Sequence, residues 1–332
     1  MKRREFIIVT AGGVLTFAAG ELGMAAMTMA SKKMGKTGRS RIALIKTGHR
    51  ESGIDRALEL LQINPVNGKD VLLKPNFNTA DPFPASTHND TLSHLIVRMK
   101  EMGAAGIAIG ERSGPPHTDG VIREKGIEDI AGRLGVKLIN FEELPPEGWV
   151  RMRPEKSHWR DGFDVARPLL DSECIVSTCC LKTHAFGGVF TMSLKNSVGF
   201  THKRNMEELH GPHSNLRKMI AEINQIYSPS LIIMDGMEVF VDGGPATGER
   251  KRANVMLAGT DRIAIDAVGL SILKELGSNR AIMGKKIFEQ EQIARAVELG
   301  LGAQRPEDIE IVTDDKEGGD YGARLMNILL KG

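Results

Sequence analysis

Cysteine is scarce in this chain, and no CxxC occurs. The 3 cysteines, Cys174, Cys179 and Cys180, exclude four-cysteine iron–sulfur ligation within the 332 residues. Charge of one sign is also lacking: 44 basic and 42 acidic side chains leave a formal +2, so no general nucleic-acid-binding surface is expected. Aromatic residues reach only 5%, and the 41% apolar content that builds the core is therefore mostly aliphatic. The HExxH zinc motif, the GxSxG nucleophile elbow, the phosphate-binding loop ending in Gly-Lys-Ser/Thr and the dinucleotide GxGxxG are all missing.

What is present begins at the N-terminus. Lys2-Arg3-Arg4-Glu5-Phe6 precedes a run of apolar and small residues through Ala19. A basic segment followed by an apolar one is the pattern of an export signal, and adjacent arginines before Phe resemble the twin-arginine type. The run is short for a membrane span, and Glu21 interrupts it. Thr28-Met29-Ala30 offers a cleavage point; the alternative is that residues 1–30 stay as an N-terminal anchor. Residues 31–40, SKKMGKTGRS, suit a flexible basic linker. The expected partner is then the twin-arginine translocation machinery, and the expected location is periplasmic or otherwise outside the cytoplasm.

From residue 41 onward, short apolar runs alternate with segments of helical period. Strands are expected at 41–46, 70–74, 106–109, 136–140, 173–177, 230–235, 254–257 and 309–313. Helices are expected at 51–63, 87–102, 215–226, 263–276 and 289–299. This alternation predicts an α/β fold, a largely parallel sheet with helices on both faces. It would be two-lobed or one large unit, with a proline- and tryptophan-bearing excursion near 145–168.

Candidate chemistry gathers where charged residues end apolar strands, the usual ligand position of open parallel sheets. Lys74-Pro75-Asn76 is one such place and Glu111-Arg112 another. The third is the stretch from Cys179 to Gly199, which holds Lys182, Thr183, His184, Ser193, Lys195 and Asn196. In an extended backbone, alternation puts Cys180, Lys182 and His184 on one side. Two inward lysines are costly unless an anion lies between them, which points to a phosphate- or carboxylate-bearing ligand. His184 is then a general acid/base or a metal ligand, and Cys180 a candidate nucleophile beside it. Asp235 ends another apolar strand, and Asp266 sits in an apolar helix where a carboxylate needs a partner. With His184 they form a candidate divalent-metal set. Asn76, Asn196, Thr183, Ser193, Glu111 and Arg112 are candidate ligand contacts, and Lys74 a candidate stabiliser of developing negative charge. His210 and His213 have ligand-like spacing, but Gly211-Pro212 between them argues against a shared helix face. A Cys174–Cys179 or Cys174–Cys180 disulfide is open, although Cys174 also suits a strand core position.

The ordered pieces VLLKPN, CCLKTHAFGGVFTMSLKNSVG, LIIMDG, GGPATG and DRIAIDAVG resemble the DUF362 family over roughly residues 40–315. The resemblance implies the fold above and a site at Lys74, Asn76, Lys182, His184, Lys195, Asn196, Asp235 and Asp266. It implies no particular reaction. Some relatives carry ferredoxin-like cysteine modules, which this chain lacks, and Cys179-Cys180-Leu181 departs from the pattern before Lys-Thr-His. The reading reached from the sequence is an exported hydrolase, isomerase or lyase acting on a small anionic molecule. The alternative is a non-catalytic periplasmic protein that captures a metal or anion.

Overall fold

The computed structural model describes residues 39–211 and 215–332, and the backbone of a short antiparallel ladder of Ile8–Thr10 with Gly13–Leu15. The expected arginine pair, cleavage point and most of the linker lie outside the described residues, as does His213. The chain separates into residues 1–38 and residues 39–332, and the larger unit carries everything below.

It opens with strand β1 (Ser40–Lys46), helix α1 (Arg50–Leu61), strand β2 (Asp70–Lys74), helix α2 (Asn89–Glu101) and strand β3 (Gly106–Glu111). Helices α3 (Thr118–Glu124) and α4 (Ile127–Leu134) precede β4 (Lys137–Asn140). A side ladder of β5 (Trp149–Met152) with β6 (Phe163–Ala166) accounts for the expected excursion. After α5 (Arg167–Asp171) come β7 (Cys174–His184), β8 (Val189–Thr191) and three short helices, α6 (Ser193–Asn196), α7 (Asn205–Leu209) and α8 (Leu216–Ile223). The chain closes with β9 (Leu231–Gly243), β10 (Gly248–Gly259), α9 (Arg262–Leu276), α10 (Arg280–Met283), α11 (Glu291–Glu298), β11 (Ile309–Val312) and α12 (Lys316–Lys331).

The fold is α/β. Its nine-stranded sheet runs β11-β1-β10-β9-β7-β2-β3-β4, with β8 paired to β7. Along that path every strand is parallel to the rest except β10, which is antiparallel to both β1 and β9. Alternation within each buried strand divides the core between the two faces. Ala43, Ile45, Leu73, Val176 and Cys180 pack against α1 and α2. Ile42, Leu44, Cys179 and Leu181 face α9 and α12, while Leu72 and Ile175 meet Phe141, Trp159 and α8. Burial on both sides explains why these strands read as continuous apolar runs.

Several strands outrun their sequence expectation. β7 continues to His184 with all eleven residues buried, so Cys179–His184 is a strand end rather than the turn after one. Polar Lys182, Thr183 and His184 end the apolar run, yet ladder pairing of Thr191 with Lys182 and Val189 with His184 keeps the backbone extended. β9 and β10 likewise form a long hairpin whose tip is the Asp242–Gly248 loop. Helices α3, α4 and α12 were not expected. α12 carries Gly318, Gly319 and Gly322, which depress helix propensity, but Asp315 caps it at the Gly318 amide and Tyr321, Leu325 and Leu329 are buried. The three cysteines are free thiols. On one extended strand, residues five or six apart stand about 17–20 Å from each other, beyond the roughly 7 Å a disulfide spans, so neither expected bridge forms.

Gly110 sits one residue before Glu111 where β3 meets Phe141. A Cβ there would lie 2.4 Å from the Phe141 ring and 2.8 Å from Leu72. Gly110→Ala is expected to destabilise the protein by about 1–3 kcal/mol through overpacking, read by urea unfolding. A loss within about 0.5 kcal/mol would show that Phe141 can move aside.

Candidate anion-binding cleft

β2, β3 and β7 end side by side, and a cleft opens at their carboxyl ends. It is lined by Lys74, Asn76, Asn78, Glu111, Arg112, Lys182, His184, Thr191, Lys195, Asn196, Val198, Gly199 and Pro245. Its volume is about 40 Å³; one water needs about 10–15 Å³ by the same measure. The space therefore suits a few waters or a single small oxyanion group.

Four cationic side chains surround this space against one carboxylate. Lys74 pairs with Glu111, and both are almost fully buried. The Lys74 ammonium also donates to the Pro75 carbonyl at 2.7 Å. Glu111 accepts from the Phe77 and Arg112 amides at 2.7 and 2.9 Å. Gly199 closes over the pair: a Cβ there would lie 2.5 Å from the Lys74 ammonium and 2.6 Å from Glu111. Arg112 donates to the carbonyls of Thr201, Ser113 and Val198, so it holds the 198–201 turn against β3. Burial pulls its pKa down to about 10.

Among the described residues Lys182 forms no salt bridge. Its ammonium donates to the carbonyls of Ala85 and Pro245, the latter at 3.2 Å, and burial lowers its pKa. It thereby ties the loop before α2 to the tip of the β9–β10 hairpin. Lys195 differs from the other three cations: among the described residues its ammonium has neither a hydrogen-bond acceptor nor a counter-ion. Burial first, and then the charges of Lys182 and Arg112, pull its pKa down to about 8. His184 is neutral, because burial and the same lysines push its pKa to about 2. A Cβ on Gly188 would lie 2.9 Å from His184 Nδ1 and 3.2 Å from Lys195 Cε, so these two side chains face one small volume.

The turn that presents Lys195 and Asn196 is held from behind. Both oxygens of Asp266 accept amide hydrogens, from Ser193 at 2.8 Å and Leu194 at 2.9 Å. Asn224 Nδ2 donates to the carbonyl of Leu194 and to Ser197 Oγ, and Arg262 in turn donates to Asn224. Asn196 Nδ2 donates to the Lys74 carbonyl at 3.3 Å and to Ser177 Oγ at 2.9 Å, which links α6 to the ends of β2 and β7.

Lys74, Asn76, Glu111, Arg112, Lys182, His184, Lys195 and Asn196 thus meet as the sequence suggested. Five other expectations are corrected. Asp235 is held by Arg50 at 2.8 Å and Thr91 at 2.7 Å, away from the cleft, and Asp266 is a helix cap behind it. The metal set of His184, Asp235 and Asp266 is therefore not assembled, and among the described residues no three metal-ligating side chains converge. Cys180 lies within the apolar core, where burial pushes its thiol up to about 11, so it presents no nucleophile to the cleft. Thr183 alternates to the opposite side and donates to the Phe240 carbonyl at 3.2 Å. Ser193 contributes its amide to Asp266 and does not line the cleft.

Gly188, Gly199 and the loop that holds Pro245 read in the sequence only as places for a turn or a close approach, and their particular contacts with His184, Lys74 and Lys182 were not legible there. All three act through backbone proximity, which leaves no residue-type signal beyond the presence of glycine or proline.

Removing the cap should be costly. At pH 5, Asp266→Ala is expected to lose about 2–4 kcal/mol, because two buried amides lose their acceptors. Burial raises the Asp266 pKa to about 8. The folded state therefore holds that proton while the unfolded chain gives it up near pH 4. The cost of the substitution should accordingly shrink as pH rises from about 4 to about 8. A pH-independent difference in unfolding free energy would sink this assignment.

No curated protein matches the sequence. A solved structure, the lactate racemase apoprotein from Thermoanaerobacterium thermosaccharolyticum, is similar at a TM-score of 0.45 and 12% identity, over 97% of this chain and 91% of that one. Residues 71–271, which run from β2 into α9 and include the whole cleft lining, match the family described as Domain of unknown function (DUF362). The chain belongs to the DUF362 family.

Proposed function

We propose that the cleft binds a small phosphate- or carboxylate-bearing molecule, and that Lys195 and His184 exchange a proton with it. The observation that carries this reading is the unpartnered ammonium of Lys195 in a buried cleft where cations outnumber carboxylates. Lys195 is half-buried, and a cation partly withdrawn from water without a counter-ion costs stability, a cost that a bound oxyanion removes. Burial brings the Lys195 proton equilibrium close to neutral pH, and the neutral imidazole of His184 stands beside it. A lysine whose proton equilibrium lies near neutral pH suits general acid–base work, and a bound anion beside His184 would raise the imidazole's pKa toward that range. Isomerase, lyase and hydrolase reactions all use such a transfer on an anionic substrate. Lys74, Arg112 and Lys182 already have acceptors within the protein, and their part is to set the local potential and hold the walls. That same satisfaction favours a second reading, a non-catalytic protein that captures anions. A divalent metal would require ligands other than the His184, Asp235 and Asp266 set.

We also propose export through the twin-arginine machinery, to the periplasm or its equivalent. The support is the Lys2-Arg3-Arg4-Glu5-Phe6 segment and the apolar run after it. Among the described residues no helix is long and apolar enough to cross a membrane. Replacing Arg3 and Arg4 with lysine should strand the protein in the cytoplasm, as read by cell fractionation. Unchanged export would sink the signal assignment.

Titration calorimetry with inorganic phosphate and with acetate tests the cleft, since neither ion changes charge appreciably between pH 8 and 10. Binding favours protonated Lys195 and so raises its pKa. Protons should be taken up on binding near pH 8, and affinity should fall as pH rises above about 8, by up to tenfold per unit. Lys195→Met should weaken binding at pH 7 by about tenfold or more and abolish that pH dependence. Equal affinity in the variant would remove Lys195 from the site. Proton exchange or turnover lost in both Lys195→Met and His184→Gln, with folding intact, would separate an enzyme from a capture protein.

A further inference from the structure

The cleft is built for more than charge. Four residues that line it each carry a buried side-chain atom with no hydrogen-bond partner among the described residues: Asn76 Oδ1, His184 Nδ1, Thr191 Oγ1 and Asn196 Oδ1. All four residues are more than nine-tenths buried, with exposures of 8% for Asn76, 8% for His184, 5% for Thr191 and 3% for Asn196. Most buried polar atoms find a partner, so this concentration in one small space calls for a cause.

Asn196 is decisive, because its amide orientation is fixed. One of its two terminal atoms lies 3.3 Å from the Lys74 carbonyl, which only accepts hydrogen bonds. That atom must be the donor nitrogen, so the oxygen, Oδ1, is the atom without a partner among the described residues, on a side chain that lines the cleft. A carboxylate oxygen accepts and never donates, so a bare anion satisfies Lys195 but leaves Asn196 Oδ1 unmatched. We infer that the ligand is a small hydroxylated oxyanion, with an anionic oxygen on Lys195 and an O–H donated to Asn196 Oδ1. This rests on the anion reading above and adds the donor requirement. An ammonium could donate as well, but the excess of cations around the cleft disfavours it. The volume of about 40 Å³ keeps the hydroxyl close to the anionic group. His184 Nδ1 and Thr191 Oγ1 are further partners for the same hydroxyl or for a water beside it.

Two matched pairs of ligands isolate the donor hydrogen, measured by calorimetry on the full-length protein at pH 7. Glycolate and propionate have the same size and charge, with O–H exchanged for CH₃. Hydrogen phosphate and sulfate have the same shape, and only phosphate carries a hydrogen. In whichever pair binds, the donor-bearing member should bind at least tenfold tighter, because the other leaves a buried acceptor unpaired. Members within about threefold of each other would overturn the donor requirement while leaving the anion site standing. Binding of none of the four would overturn the anion reading and this inference together. Acetate serves as a size control: it should bind no tighter than propionate by more than about threefold, and a larger gap would mean that size, rather than the missing hydrogen, sets the ratio.

Discussion

Like charges buried within reach of one another must each find compensation, and the region between β2, β3 and β7 is organised around that constraint. Lys74 is matched by Glu111. Arg112 and Lys182 are matched by main-chain carbonyls from segments that would otherwise have little reason to approach. Breaking a buried ion pair by removing one partner commonly costs about 3–5 kcal/mol, so the Lys74–Glu111 contact fixes how β2 and β3 end. Arg112 then fixes the turn after α6, and Lys182 fixes two loops. Only Lys195 is left over, and its surplus charge is what gives the cleft an electrostatic purpose.

The sheet supplies the positions and α6 the flexible element of design. Strands that are buried on both faces pack differently shaped side chains on each side, so a one-residue slip would exchange the two faces and break the packing, and Lys74, Glu111 and Lys182 arrive at set places. α6 is a single turn and is too short to be stable alone. It depends on Asp266 for its amides and on Asn224 for its carbonyl end. Two of the chain's least exposed polar residues thus serve a segment of four residues, which places Lys195 and Asn196 with little freedom.

Much of this was legible from residue order. The strand–helix alternation led to the α/β fold, and charged residues ending apolar runs led to Lys74, Glu111 and Lys182. Alternation along an extended backbone puts Lys182 and His184 together in the cleft, and it also turns Thr183, expected as a ligand contact, to the other side. The same logic misled for Cys180, which shares their face but lies deeper in the core, where no cleft exists. It misled again for Asp235 and Asp266, because a buried carboxylate needs a partner and sequence does not say which. Arg50 and two backbone amides answer that need as well as a metal would. The N-terminal end of α12 escaped notice because its glycines hid a helix that tertiary burial stabilises.

The cleft draws on β2, β3, β7, α6 and the tip of the β9–β10 hairpin, so its parts are scattered through most of the chain. Contacts between such distant segments form only after long loops have closed, which makes their assembly slow compared with local structure. A chain in which the strands have paired but the 242–248 loop has not docked would leave Lys182 with one carbonyl fewer and the cleft with one wall open. The site therefore needs the sheet, α6 and the hairpin tip all in place at once. Any opening that separates Asp266 from α6 would expose the amides of Ser193 and Leu194, so their hydrogen exchange reports on the site's own integrity.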